Sequence, residues 1–119
     1  MGKRKVYRYR DISVPVADND VVTITVQFIS DGNTGPTIVN IPGEDDPDRL
    51  DAGEIELGKG KDLREPTTIS ISDITNLASE ETYIRVNYKI NGSVIAEHEN
   101  KKEDATHATI MLFIKFPEP

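Results

Sequence analysis

The feature that most constrains this chain is the Asn91-Gly92 pair, set between two runs of alternating apolar and polar residues within Thr82 to Phe116. Both residues tolerate positive φ, and the two-residue type I′ turn they favour carries the twist of the strands it joins. A hairpin is therefore expected, with Ile90 opposite Ser93, Tyr88 opposite Ile95 and Arg85 opposite His98. Ile84, Val86, Tyr88 and Ile90 then share the buried face, with Tyr83, Arg85, Asn87 and Lys89 outside and Ile95 pointing inward. A third run places Ile110, Leu112, Ile114 and Phe116 on one face. Pairing Ile95 with Ile110 centres the second turn on Lys102-Glu103 and brings His98 opposite His107. The expected result is an outer row of Arg85, His98 and His107 across three strands.

The rest of the chain carries the same period. Val6 to Val16 reads as a first strand bent near Asp11, and Val22, Ile24, Val26 and Phe28 alternate with Thr23, Thr25 and Gln27 in a second. Asp31 to Pro36 is a cluster of breakers, Thr37 to Ile41 a short strand, and Thr67 to Ile74 another with Ile69 and Ile71 on one face. Residues 42–66 read mostly as an acidic loop. With turn signals roughly every ten residues, the expectation is a single domain over 1–119: an immunoglobulin-like, antiparallel, all-β sandwich of about seven to eight strands. The Cys and Trp of true immunoglobulin domains are absent, so the likeness is architectural.

Charge separates sharply along the chain. Lys3, Arg4, Lys5, Arg8 and Arg10 put +5 into the first ten residues, which leaves −12 on the remainder of a chain whose net charge is −7. Seven acids face one base, Arg49, between Glu44 and Glu56. A body of that sign lacks the positive field that displaces counterions from nucleic-acid phosphates, so no nucleic-acid partner is expected. No Cys is present, which removes disulfides, thiolate zinc sites and a thiol nucleophile. The basic start is followed by no apolar stretch, and no run of apolar residues is long enough to span a bilayer. Cytoplasmic residence is the expectation. The alternating charges of the first strand read as protection of a sheet edge, with contact to an acidic partner, a membrane surface or RNA as the other reading.

Each candidate site has a plain counterpart. Facing imidazoles at His98 and His107 suggest half a metal site or a pH sensor, but Arg85 beside them repels a cation, and solvated histidines are the simpler reading. Asp18 and Asp20 with Asp45, Asp46, Asp48 and Asp51 offer the hard oxygens calcium requires, as in C2-type or cadherin-type loops. EF-hand spacing fails, since Leu50 stands where a third ligand belongs, and a solvated acidic loop accounts for the same residues; no other cofactor is expected. Gly58-Lys59-Gly60-Lys61 is a turn and lacks the phosphate-loop pattern. No nucleophile elbow is present, and no Trp is available for a sugar platform, so the chain is read as non-enzymatic. Tyr83, Val94, Met111 and Phe113 fall on the expected outer face of the last three strands and form a candidate patch for a protein partner or a second copy.

From Leu57 onward, Leu57-Gly58-x-Gly60-x-Asp62-Leu63, then Thr68-Ile69-Ser70-Ile71-Ser72-x-Ile74-Thr75, then Val86-x-Tyr88-x-Ile90-x-Gly92 resembles a set of small bacterial β-sandwich proteins with no assigned activity. The resemblance implies the fold and no catalytic residue. The functional expectation is a binding or assembly module, with a calcium-dependent C2-like or cadherin-like module as the alternative.

Overall fold

Period-2 alternation, repeated along the chain, does produce strands. The computed structural model describes residues 4–29, 35, 37–40, 48–50 (backbone only), 53–64, 67–75 and 82–119. Among them lie β1 (Arg4–Ser13), β2 (Val21–Phe28), β3 (Thr37–Asn40), β4 (Asp48–Leu50), β5 (Gly53–Lys59), β6 (Thr68–Ile74), β7 (Tyr83–Ile90), β8 (Ser93–Lys101) and β9 (His107–Lys115), with one 3₁₀ turn at Gly60–Asp62. They form a five-stranded sheet, β1-β9-β6-β3-β4, against a four-stranded sheet, β5-β2-β7-β8. This is an all-β sandwich. Within residues 42–66, read from the sequence as mostly loop, the described residues include the strands β4 and β5. One expectation is corrected here. The strands are not all antiparallel, since β1 runs parallel to β9, a ladder that Val14 and Val16 extend by donating to the Lys115 and Pro117 carbonyls.

The core is assembled from the faces that alternation selects. Val22, Ile24 and Val26 of β2, with Ile84, Val86, Tyr88 and Ile90 of β7, meet Ile110, Leu112 and Ile114 of β9 across the sandwich, and Phe116 joins them. In β6 the alternation is inverted. Thr68, Ser70, Ser72 and Ile74 are buried, while Ile69 and Ile71 sit half-buried on the outer face. At Ser72 the facing sheet supplies the reason, while the Thr68 and Ser70 hydroxyls are buried without a hydrogen-bond partner among the described residues. Tyr88 is fully buried and its phenol needs a partner, which it finds by donating to Ser72 Oγ at 2.8 Å, while Thr37 Oγ1 lies 2.8 Å from the same oxygen. A small hydroxyl residue leaves room for the large ring and satisfies it.

The Asn91-Gly92 hairpin forms as expected, with positive φ at both residues and Ile90 opposite Ser93. Asn91 also closes the hairpin onto β2: its amide nitrogen donates to the Thr23 carbonyl at 3.1 Å, and its Oδ1 accepts from the Thr23 amide at 2.8 Å. One residue further along, the register slips. A bulge leaves Lys89 opposite Val94 but Tyr88 opposite Ala96, so Ile95 is the extra residue, Arg85 faces Glu99 and Val86 faces His98. Electrostatics explains the slip. The unbulged register would turn Glu97 and Glu99 into the core beside Ile95, whereas the bulge exposes both and sends His98 and Asn100 inward.

The expected pairing of β8 with β9 does not occur. The turn does fall on Lys102 to Asp104, but it carries the chain from one sheet to the other, and β9 pairs with β1 and β6. Asn100 holds this arch, donating both amide hydrogens to main-chain carbonyls, those of Lys101 at 3.0 Å and Ala105 at 3.2 Å. At the opposite end, the Gly60 turn packs against residues 17–20. Gly60 N–H donates to the Asp20 carbonyl, and a Cβ at Gly60 would lie 2.2 Å from the Ala17 carbonyl oxygen. Close approach, not flexibility, requires this glycine.

Candidate functional site

The expected row of Arg85, His98 and His107 is dispersed. Arg85 lies on the outer face of the four-stranded sheet, its Nε donating to Glu99 Oε1 at 2.7 Å and its guanidinium 4.7 Å from the Tyr83 ring. His107 belongs to the other sheet, 3.5 Å from Asp73 Oδ1, where Thr109 Oγ1 donates at 2.6 Å and Arg4 reaches to 3.5 Å. The Thr109 hydrogen bond is the main cause that holds the Asp73 carboxyl below its ordinary range.

His98 is 2% exposed, enclosed between the edge strands of the two sheets. Asn100 has both amide hydrogens committed to carbonyls, so its Oδ1 must accept; His98 Nε2 donates to it at 2.7 Å. The neutral ring then presents a lone pair at Nδ1, which accepts the Tyr9 hydroxyl at 2.6 Å. Tyr7 packs edge-on against the same imidazole at 4.6 Å. Every polar atom of the ring is satisfied in the uncharged state, and burial lowers its pKa. This is a seam joining β1 to β8. The charged alternation Glu97, Glu99, Lys101 was the signal that could have located it.

The acidic residues divide as well. Asp18 pairs with Arg64 at 2.5 Å, and Asp20 Oδ2 accepts the Ala17 amide at 2.9 Å, so both are occupied in shaping the turn that meets Gly60. Asp45, Asp46 and Asp51 lie outside the described residues, and Asp48 is placed only by its backbone in β4. Among the described residues no group of three or more His, Asp or Glu is gathered for a metal. Arg64, which sequence reasoning passed over, also donates to the Val16 carbonyl at 2.6 Å and to the Phe116 carbonyl at 3.3 Å, tying the ends of two parallel segments together.

The expected patch of Tyr83, Val94, Met111 and Phe113 is split between opposite faces of the sandwich. Tyr83 and Val94 belong to the four-stranded sheet, Met111 and Phe113 to the five-stranded one. A different apolar surface takes its place. Cross-strand register aligns Arg8, Met111, Ile71 and Ile38 in one row and Phe113 with Ile69 in the next, the latter under Arg10, whose guanidinium lies 5.0 Å from the Phe113 ring. Val6 is 40% exposed and Ile38 36% exposed. No described element covers this face. A cleft lined by Arg10, Asp11, Thr67, Phe113 and Lys115 opens at its margin.

No helix among the described residues is long and apolar enough to cross a membrane. Compared with protein-family models, with curated proteins and with solved structures, the chain matches none.

Proposed function

We propose that this chain is a non-enzymatic, immunoglobulin-like binding or assembly module that presents the outer face of its five-stranded sheet to a protein. The observation that carries the reading is the inversion of β6: hydroxyl residues fill the interior while Ile69 and Ile71 face outward beside Met111 and Phe113. An outward apolar row on a strand that had polar alternatives at every second position is the surface a partner desolvates. The rim on β1 is basic, so association would also be steered by charge.

Site-specific photocrosslinking tests this directly. A photoreactive residue at Met111 is expected to yield protein adducts in cells producing the chain, and the same residue at Thr25, on the outer face of the other sheet, is not. Equal labelling from both positions, or none from Met111, removes the reading.

A further inference from the structure

Two edges of the sandwich carry opposite charge. β1 ends the five-stranded sheet, and no described strand hydrogen-bonds to its far side. Arg4, Arg8 and Arg10 are exposed along it at alternate outward positions, with Val6 between them. Arg4 is drawn toward Asp73 and Arg10 lies over Phe113, while Arg8 has no ion-pair partner among the described residues. The regular run ends where the register breaks after Tyr9, next to Asp11 at φ 62°. Diagonally across the sandwich, β5 ends the four-stranded sheet. Its central residues, Glu54-Ile55-Glu56-Leu57, alternate acid with apolar; both glutamates are exposed, Ile55 is half-buried and Leu57 buried. The outward row is thus Arg4, Val6, Arg8 and Arg10 on β1 and Glu54 and Glu56 on β5, while Tyr7 and Tyr9 on β1 and Ile55 and Leu57 on β5 turn toward the interior.

From this we infer that the β1 edge of one molecule pairs with the β5 edge of a second copy, each edge lacking a further strand partner among the described residues, joining molecules head to tail. Like edges repel: β1 against β1 brings arginines together, and β5 against β5 brings glutamates together. Only the unlike pair sets Arg8 and Arg10 beside Glu54 and Glu56 while its main chains complete each other's ladders. A contact between two different surfaces of the same molecule is heterologous, so it propagates to a ring or an open chain and does not stop at a two-fold dimer. The inference rests on the assembly part of the function proposed above and uses a strand edge, not the apolar sheet face.

Sedimentation equilibrium of the intact chain tests it. At low salt the average mass should climb with concentration beyond twice 13.2 kDa, and at about 1 M salt, where screening shortens to about 3 Å, association should fall sharply. Arg8→Glu with Arg10→Glu, and separately Glu54→Arg with Glu56→Arg, should each weaken association at least about tenfold while leaving the far-ultraviolet circular dichroism spectrum unchanged. An equimolar mixture of the two variants should restore it, because each supplies the edge the other lacks. A strict monomer at every concentration and low salt overturns the inference, as does a mixture that stays monomeric. Association abolished by Met111→Asp but indifferent to both charge reversals would place the contact on the sheet face and also overturn it. If the chain is monomeric yet Met111 crosslinks to another protein, the edge pairing falls and the binding-face reading stands.

Discussion

The two sheets solve the problem of having one face in water differently. The four-stranded sheet sends Thr23, Thr25, Gln27, Arg85, Asn87, Lys89, Glu97 and Glu99 outward and ties them to one another, Arg85 to Glu99 at 2.7 Å and Thr25 to Glu54 at 3.2 Å. Its inner face is hydrocarbon apart from the Tyr88 phenol and the His98 seam. The five-stranded sheet does the reverse along β6, with hydroxyls inside and isoleucines outside. At Ser72 the exchange is offset by the hydrogen bonds with Tyr88 and Thr37, whereas Thr68 Oγ1 and Ser70 Oγ are buried without a hydrogen-bond partner among the described residues and the outward isoleucines forfeit part of their transfer free energy. The contrast is between one face whose outward residues are polar and solvated and another that leaves Ile69 and Ile71 outside beside Met111 and Phe113, the surface proposed above for a partner.

The largest expected effect tests whether β6 is truly inverted. Ser72→Ile should destabilise the fold by about 3 kcal/mol, since it crowds Tyr88 and orphans both the phenol and the Thr37 hydroxyl. Ile71→Ser, one residue away on the opposite face, should cost about 1 kcal/mol or less. Urea unfolding of the two variants measures this, and a larger loss for Ile71→Ser would reverse the assignment of faces.

A smaller effect sharpens the comparison at the seam between the sheets. The His98 pKa lies below its ordinary value because burial disfavours the imidazolium; Tyr7 and Tyr9 approach it from β1, and the hydrogen bond with Asn100 and then the charge of Glu99, its neighbour on β8, oppose the shift without reversing it. The unfolded chain therefore binds the proton more readily than the folded one. Stability from this group is complete above about pH 6.5 and is lost as pH falls from there toward the folded-state value. Asp73, whose pKa is lowered, acts in a separate window, its contribution disappearing only in the acid range below about pH 4. The melting temperature should thus decline as pH falls below about 6.5. His98→Gln, which keeps a donor and an acceptor but cannot titrate there, should flatten that decline. A variant with the wild-type slope below about pH 6.5 would assign the loss to other groups.

The smallest effect concerns the solvated polar face itself. Arg85 and Glu99 are each about half exposed, and an ion pair in water contributes little, so Arg85→Ala should change stability by no more than about 0.5 kcal/mol by chemical denaturation. A loss several times larger would mean that the four-stranded face is held by its charges and not merely wetted.

Much of this architecture was legible beforehand. The turn at Asn91-Gly92 and the inward faces of β2, β7 and β9 follow from local conformational preference and alternation, and those side chains are buried as expected, Phe28 only partly. The histidine row was not legible, because one extra residue at Ile95 exchanges the two faces of β8 beyond it. Nor was the partner of β9. The turn at Lys102 fits a hairpin and an arch between sheets equally well, and only the packing of Ile110, Leu112 and Ile114 opposite β7 shows which one formed.

The sequence by itself determined that this chain makes strands, where most of them turn, and which residues of a strand travel together, since period and turn chemistry are local properties. Which of two faces lies inward, which strands become neighbours and which edges remain open were decided by the tertiary structure. Backbone ladders are blind to side-chain identity, so those choices rest on burying Tyr88 against Ser72, keeping Glu97 and Glu99 in water, and closing the seam at His98. The same choices leave the basic edge of β1 and the acidic edge of β5 at the two ends of the sandwich.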